Sequence, residues 1–232
     1  MTLGIIAAMT IEAEAIIAEM EETTKDTCGG IDFTVGKIGT CNVVCAVCGI
    51  GKVFAAMCAQ TMAVKYSPDF IVNTGVGGTL TSELSIGDVA VSADVVQHDM
   101  DTSALGDPVG LISGINIVKI PADVKYAEKI RSIAADIGIK TVEGTIASGD
   151  RFVADVATKK KITENFGAIA CEMEGAAVGQ VCYVNKIPFV IVRAISDDAD
   201  GGACEDYPQF AKKAAASSAK IVIRLAKEVT EK

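Results

Sequence analysis

The chain has very little histidine, no surplus of positive charge and no long apolar run. His98 is the single histidine in 232 residues. A Ser-His or Cys-His nucleophile system would therefore depend on it alone, and "VVQHDMD" shows neither a nucleophile elbow nor a metal spacing. His98 reads as structural or surface. Lys and Arg number 21 against 30 Asp and Glu, a formal charge of −9. Binding to a nucleic-acid duplex needs clustered cations. The one dense basic run, Lys159-Lys160-Lys161, reads as a solvated helix face. No segment reaches the roughly 18 apolar residues of a membrane span. The apolar run at 3–9 has no basic flank and meets acidic residues at once, so it reads as a buried strand and not a signal peptide. These absences exclude nucleic acid and membrane as partners and point to a cytoplasmic protein.

Linkers are also missing. Nothing rich in proline, serine or charge interrupts residues 60–170, and half the chain is hydrophobic, so residues 1–232 are expected to form one domain. The eight cysteines sit mostly among Val, Ala and Ile, where a thiol behaves as a small hydrophobe. Cys41, Cys45 and Cys48 have the C-x3-C-x2-C spacing of radical iron–sulfur enzymes. Their segment reads as a strand, on which Cys45 and Cys48 point to opposite faces and cannot converge on a cluster.

What is present is alternation. Strand-like runs recur at 3–8, 42–48, 70–73, 88–96, 145–148, 168–172 and 189–194. Helical patterns lie at 10–22, with Thr10 as N-cap, and at 52–66, 122–137 and 175–185. The clearest runs from about 207 to 228, where Phe210, Ala214, Ile221, Leu225 and Val229 make an apolar stripe behind Pro208. Alternating strands and helices mean an α/β fold with a largely buried sheet.

Ligands of such folds bind where strands end. Those ends are "AAMTIE" (7–12), "CGIGK" (48–52), "NTGVGG" (73–78), "SGDRFV" (148–153), "CEMEG" (171–175) and "RAISDDAD" (193–200). Glu172 and Glu174 would share one face of a strand that Gly175 stops. One of them could serve only the dipole of the following helix, but two suggest a hydroxyl-rich ligand. Asp197 follows an apolar strand, where desolvation favours a proton donor; its plain alternative is an N-cap. Asp198 and Asp200 read as surface residues. A divalent metal among these acids is weighed and set aside, since no second ligand cluster stands out. Glu12 lies in the first turn of a helix, where dipole complementarity alone would account for it. "NTGVGG" could cradle a ligand by backbone N–H groups but is no P-loop.

Together, "GIIAAM", "IEAE", "GIGK", "VNTGVGG", "SGDRF", "EMEG" and "VRAISDDAD" resemble, in order and spacing, the bacterial 5′-methylthioadenosine/S-adenosylhomocysteine nucleosidases of the purine nucleoside phosphorylase superfamily. The resemblance runs from residue 3 to about 225. It implies a single three-layer α/β/α domain around a twisted mixed sheet, a homodimer, and hydrolysis of an adenine N-glycosidic bond without cofactor or metal. It implies that Glu12 activates water, Asp197 protonates adenine N7 and Glu174 holds the ribose hydroxyls, with Met173 against the sugar. Phe152 would stack on adenine and the backbone of Val153 would read its edge. Ala8, Met9, Ile50, Gly78, Glu172, Ser196 and Tyr207 would line the pocket, together with Val76 and Arg193. Residues 102–113 would reach a partner subunit's site, with Thr102, Leu105 and Ser113 against the 5′ substituent.

Two departures stand out. Val76 replaces a serine common in the family, and Thr102 and Leu105 replace bulkier residues. The alternatives are a phosphorylase or a futalosine-type nucleosidase of the same superfamily and a non-catalytic nucleoside-binding protein. Arg193 is the only cation among the motifs to which a phosphate could bind.

Overall fold

The computed structural model describes residues 1–197 and 207–229, and for Tyr207 and Pro208 the backbone alone. The expectations for Asp198 and Asp200, and for the side chain of Tyr207, lie outside the described residues.

The chain opens with β1 (Thr2–Ala7) and α1 (Thr10–Ala18), followed by the meander β2 (Glu21–Cys28), β3 (Ile31–Ile38) and β4 (Cys41–Val47). Next come α2 (Lys52–Tyr66), β5 (Phe70–Thr79) and β6 (Val89–Gln97), then a 3-10 turn at Ser103–Leu105 and the short β7 (Ile120–Pro121). The second half alternates: α3 (Val124–Asp136), β8 (Thr141–Ser148), α4 (Val156–Phe166), β9 (Ala168–Glu172), α5 (Gly175–Asn185), β10 (Phe189–Asp197) and α6 (Tyr207–Glu228).

Among the described residues, all ten strands join one mixed sheet. One arm runs β2-β3-β4-β1-β5. At β5 the sheet forks, pairing in parallel with β10 and antiparallel with β9. Because β10 continues through β6 and β8 back to β9, five strands close on themselves. β5 and β10 are buried along their whole length, the expected state of strands covered on both faces. One core cluster packs α1, α3 and α6 against one face, and another packs α2 and α5 against the other. This is the three-layer mixed α/β arrangement expected.

Several local expectations change. The helix expected over 10–22 stops at Ala18, and the polar segment after it is a strand. Almost all of β2 is exposed, so it carries no hydrophobic period and is held by its register with β3. The first helical residue of α1 is Thr10, and its N-cap is Met9. "NTGVGG" is no loop. It extends β5 to Thr79, with Gly75, Val76 and Gly77 paired to Arg193, Ala194 and Ile195. Lys160 and Lys161 are solvated as expected, but Lys159 is only 4% exposed. The cysteines of the C-x3-C-x2-C run divide between faces: Cys41 and Cys45 belong to the α1/α3/α6 core, Cys48 to the α2/α5 core.

Candidate functional site

A cleft of about 620 Å3, its solvent-filled mouth included, opens at the strand ends. Residues just past β1, β4 and β8, at the junction of β9 with α5, and at the ends of β5 and β10 all contribute. The lining includes Ala8, Met9, Glu12, Ile50, Val76, Gly78, Phe152, Val153, Glu172, Met173, Glu174, Ser196 and Asp197, all expected from the sequence.

Glu12 is placed by its own helix start. Its Oε2 accepts the backbone N–H of Ala8 (2.9 Å) and Met9 (2.8 Å), so it caps α1 from the third position. Its Oε1 accepts Val76 N–H at 2.9 Å. The carboxylate is buried, and desolvation pushes its pKa up, against the opposing pull of Arg193 and the three backbone donors. Gly75 must be glycine for this to fit, because a Cβ there would sit 2.5 Å from Glu12 Oε1.

The two glutamates of "EMEG" divide the work. β9 ends at Glu172, so Glu174 is not the next position on a strand but the N-cap of α5. Glu172 accepts the N–H groups of Glu174 (3.0 Å) and Gly175 (2.8 and 3.0 Å), the Ser148 hydroxyl, and Arg193 through Nε (3.1 Å) and Nη2. Its oxygens are fully engaged, and the helix-terminus role suggested for one glutamate falls to it. Glu174 is less occupied. Its Oε1 accepts Gly51 N–H at 2.8 Å and its Oε2 lies 3.8 Å from Arg193. Burial, reinforced by the charge of Glu172, pushes Glu174 up to about 7.

Asp197 reaches the cleft through a break in register. Ile195 pairs with Gly77 and Asp197 with Gly78, so Ser196 is the extra residue of a bulge. Ser196 and Asp197 both line the cleft as a result. The Ser196 hydroxyl lies 3.2 Å from Asp197 Oδ1 and Lys159 Nζ lies 3.4 Å from Oδ2. A Cβ on Gly78 would be 2.7 Å from Oδ2, so this glycine too makes room for a carboxylate.

Some expected residues are elsewhere. Arg193 is fully buried behind the cleft, its guanidinium spent on Glu172 and on the backbone and side-chain oxygens of Asn73. Thr102, Leu105 and Ser113 do not reach the cleft of their own chain: Thr102 donates to Asp107 Oδ2 at 2.8 Å and Leu105 is 84% exposed. His98 lies outside the lining, and burial holds its pKa down.

Sequence reasoning missed Gly77, Arg151 and Cys171 in the lining. All three stand inside the quoted motifs, which was the available signal. It also missed Ser148, which accepts Ala176 N–H at 2.7 Å while donating to Glu172. It opens the quoted motif "SGDRFV", which was again the available signal.

A family model described as the phosphorylase superfamily matches residues 2–227. The 5′-methylthioadenosine/S-adenosylhomocysteine nucleosidase of Shewanella halifaxensis is 38% identical over 231 residues, 99% of this chain and 100% of that protein. The crystal structure of the like-named enzyme from Neisseria meningitidis, in complex with methylthio-immucillin-A, aligns with a TM-score of 0.94 at 34% identity, over 98% of this chain and 99% of that one. A futalosine hydrolase of Helicobacter pylori aligns equally well, at 0.94 and 32% identity over 98% of each chain. The chain belongs to the phosphorylase superfamily and, within it, to the family of 5′-methylthioadenosine/S-adenosylhomocysteine nucleosidases.

Proposed function

We propose that this protein hydrolyses the N-glycosidic bond of 5′-methylthioadenosine and S-adenosylhomocysteine, releasing adenine and the 5-thioribose product. The observation that carries the reading is the meeting of three buried carboxylates, Glu12, Glu174 and Asp197, in one cleft.

Glu12 and Glu174 have roles their surroundings suit. A carboxylate offers about four acceptor positions. Two on Glu12 Oε2 and one on Oε1 are filled by backbone N–H groups, which leaves one on Oε1 for a water. A raised proton affinity suits that group to take the water's proton as the oxygen attacks C1′. Asp197 gives its proton to adenine N7, and the C1′–N9 bond breaks with its electron pair going to adenine. The sugar passes through an oxocarbenium-like state. Glu174 keeps free acceptor positions for the ribose hydroxyls, Met173 packs against the sugar and Phe152, 52% exposed at the mouth, stacks on the base. Glu172 supports Glu174 and Arg193 from behind.

Hydrolysis is favoured over phosphorolysis by where the cations are. Among the described residues lining the cleft, Arg151 is the one cation, and it is exposed and paired with Asp155 at 2.9 Å. Arg193 is engaged by Glu172 and Asn73. A phosphate beside the sugar would lack a buried cationic partner.

A second copy of the chain completes the site. α2 exposes Val53, Phe54 and Met57, and α5 exposes Val184, an apolar surface that suits a homodimer. Thr102, Leu105 and Ser113 then reach the partner's 5′ subsite, which explains their absence from their own cleft. The protein acts in the cytoplasm, without metal or cofactor.

The test is adenine release from 5′-methylthioadenosine, S-adenosylhomocysteine, adenosine and futalosine, each with and without phosphate. Phosphate-independent release, fastest with a 5′-thio nucleoside, is expected. Release only with phosphate would make the protein a phosphorylase, and fastest turnover of futalosine would reassign its substrate.

A further inference from the structure

α4 turns Lys159, Ile162 and Phe166 inward at helical spacing. Ile162 and Phe166 fill a small apolar cluster with Val96, Ala147 and Ala168. Lys159 shares that inward face although it is charged. Its side chain is 5% exposed and that of Asp197 6%, with Nζ 3.4 Å from Oδ2. Burying an ammonium costs several kcal/mol unless it is paired. Among the described residues, one partner is the carboxyl group assigned above as the proton donor to adenine.

The groups around Asp197 make this placement specific. The Ser196 hydroxyl touches Oδ1, and Gly78 presents bare backbone on the other side. Cys171 faces it from β9, but burial pushes that thiol up to about 12, so it brings no charge. Lys159 brings the positive charge, and it does so from outside the cleft lining.

We propose that Lys159 is a positioning residue for departure of the base: its ammonium orients Asp197 and stabilises the carboxylate left once N7 has taken the proton. The inference rests on the assignment of Asp197 as the acid. The step begins with Asp197 protonated: its proton moves to N7, the C1′–N9 pair leaves with adenine, the negative charge remains on Asp197 beside Lys159, and a proton taken back from solvent resets the acid. Lys159 itself exchanges no proton and touches no substrate.

The experiment uses two substrates and a double-mutant cycle. One substrate is 5′-methylthioadenosine. The other carries 4-nitrophenolate on the same 5-methylthioribosyl group, a leaving group that departs without protonation. Lys159→Met should lower kcat for the adenine substrate roughly 10- to 100-fold, the range for losing a charge-assisted hydrogen bond, with KM changed less. Turnover of the nitrophenyl substrate should persist. Lys159→Arg should recover part of the adenine rate. In an Asp197→Asn background, Lys159→Met should add nothing. Lys159→Gln is run alongside and carries the test if the methionine variant melts early.

Equal losses on both substrates would make Lys159 merely structural, and an unchanged adenine rate would remove its role; either overturns the proposal. Undiminished adenine release by Asp197→Asn alone would instead remove the acid assignment beneath it, whatever Lys159 does.

Discussion

Glu174 is destabilising where it is useful. Its carboxylate is held at about 7 in the fold against 4.5 in the open chain, because burial and Glu172 oppose its charge. The folded state therefore binds more protons than the unfolded state between those values. Stability from this group is full below pH 4.5 and is lost as pH rises through about 7. Glu174→Gln stays neutral and still offers an oxygen to Gly51 N–H. It should melt above the parent at pH 8, by roughly 2–4 °C for each kcal/mol relieved at this chain length. Thermal melts across the range should show the gain shrinking as pH falls towards 4.5, while adenine release is lost at every pH. A gain that grows on acidification would contradict the reading. For Asp197→Asn, adenine release should fall roughly 10²- to 10⁴-fold while calorimetry still detects nucleoside binding. Val76 is a milder matter. Its backbone N–H, not its side chain, holds Glu12, so the missing serine hydroxyl leaves that carboxylate in place.

At the scale of elements, the site depends on two strands closing on two carboxylates. β5 carries Gly75 against Glu12 and Gly78 against Asp197, and β10 supplies the bulge that aims Asp197. Gly75 and Gly78 of "NTGVGG" thus act through missing side chains. Gly75→Ala should displace Glu12 Oε1 by the better part of an ångström. A misplacement of that size costs roughly 10²-fold in rate. Turnover should collapse while circular dichroism stays native and Tm falls only by what the weakened Glu12–Val76 contact costs. Unchanged turnover would mean that Glu12 need not sit where Val76 holds it.

At the scale of the molecule, the ring β5-β10-β6-β8-β9 gathers strand ends that are far apart in sequence around one cleft. Its mouth lies near the apolar surface of α2, since Ile50, two residues before that helix, is in the lining. If the proposed homodimer forms through this surface, Phe54→Glu should give a monomer in sedimentation and lower kcat/KM for 5′-methylthioadenosine, because the 102–113 segment proposed to come from the partner would be missing from the 5′ subsite. A monomeric variant with full activity would make the chain self-sufficient.

The sequence alone settled what is local. A hydrophobic period marked α6, Gly175 marked the start of α5, and the motifs at strand ends named most of the cleft, since loops after buried strands are where a chain can place polar groups. It did not reveal β2, whose polar face carries no period, or the inward turn of Lys159 within a basic run. Nor could it divide Glu172 from Glu174, identical residues two positions apart. β2 is held by its hairpin neighbour β3, and the other outcomes depend on partners distant in sequence: Asp197 for Lys159, Ser148 and Arg193 for Glu172. Burial and pairing are properties of three-dimensional neighbours, and only the tertiary structure decides which neighbours a charge will have.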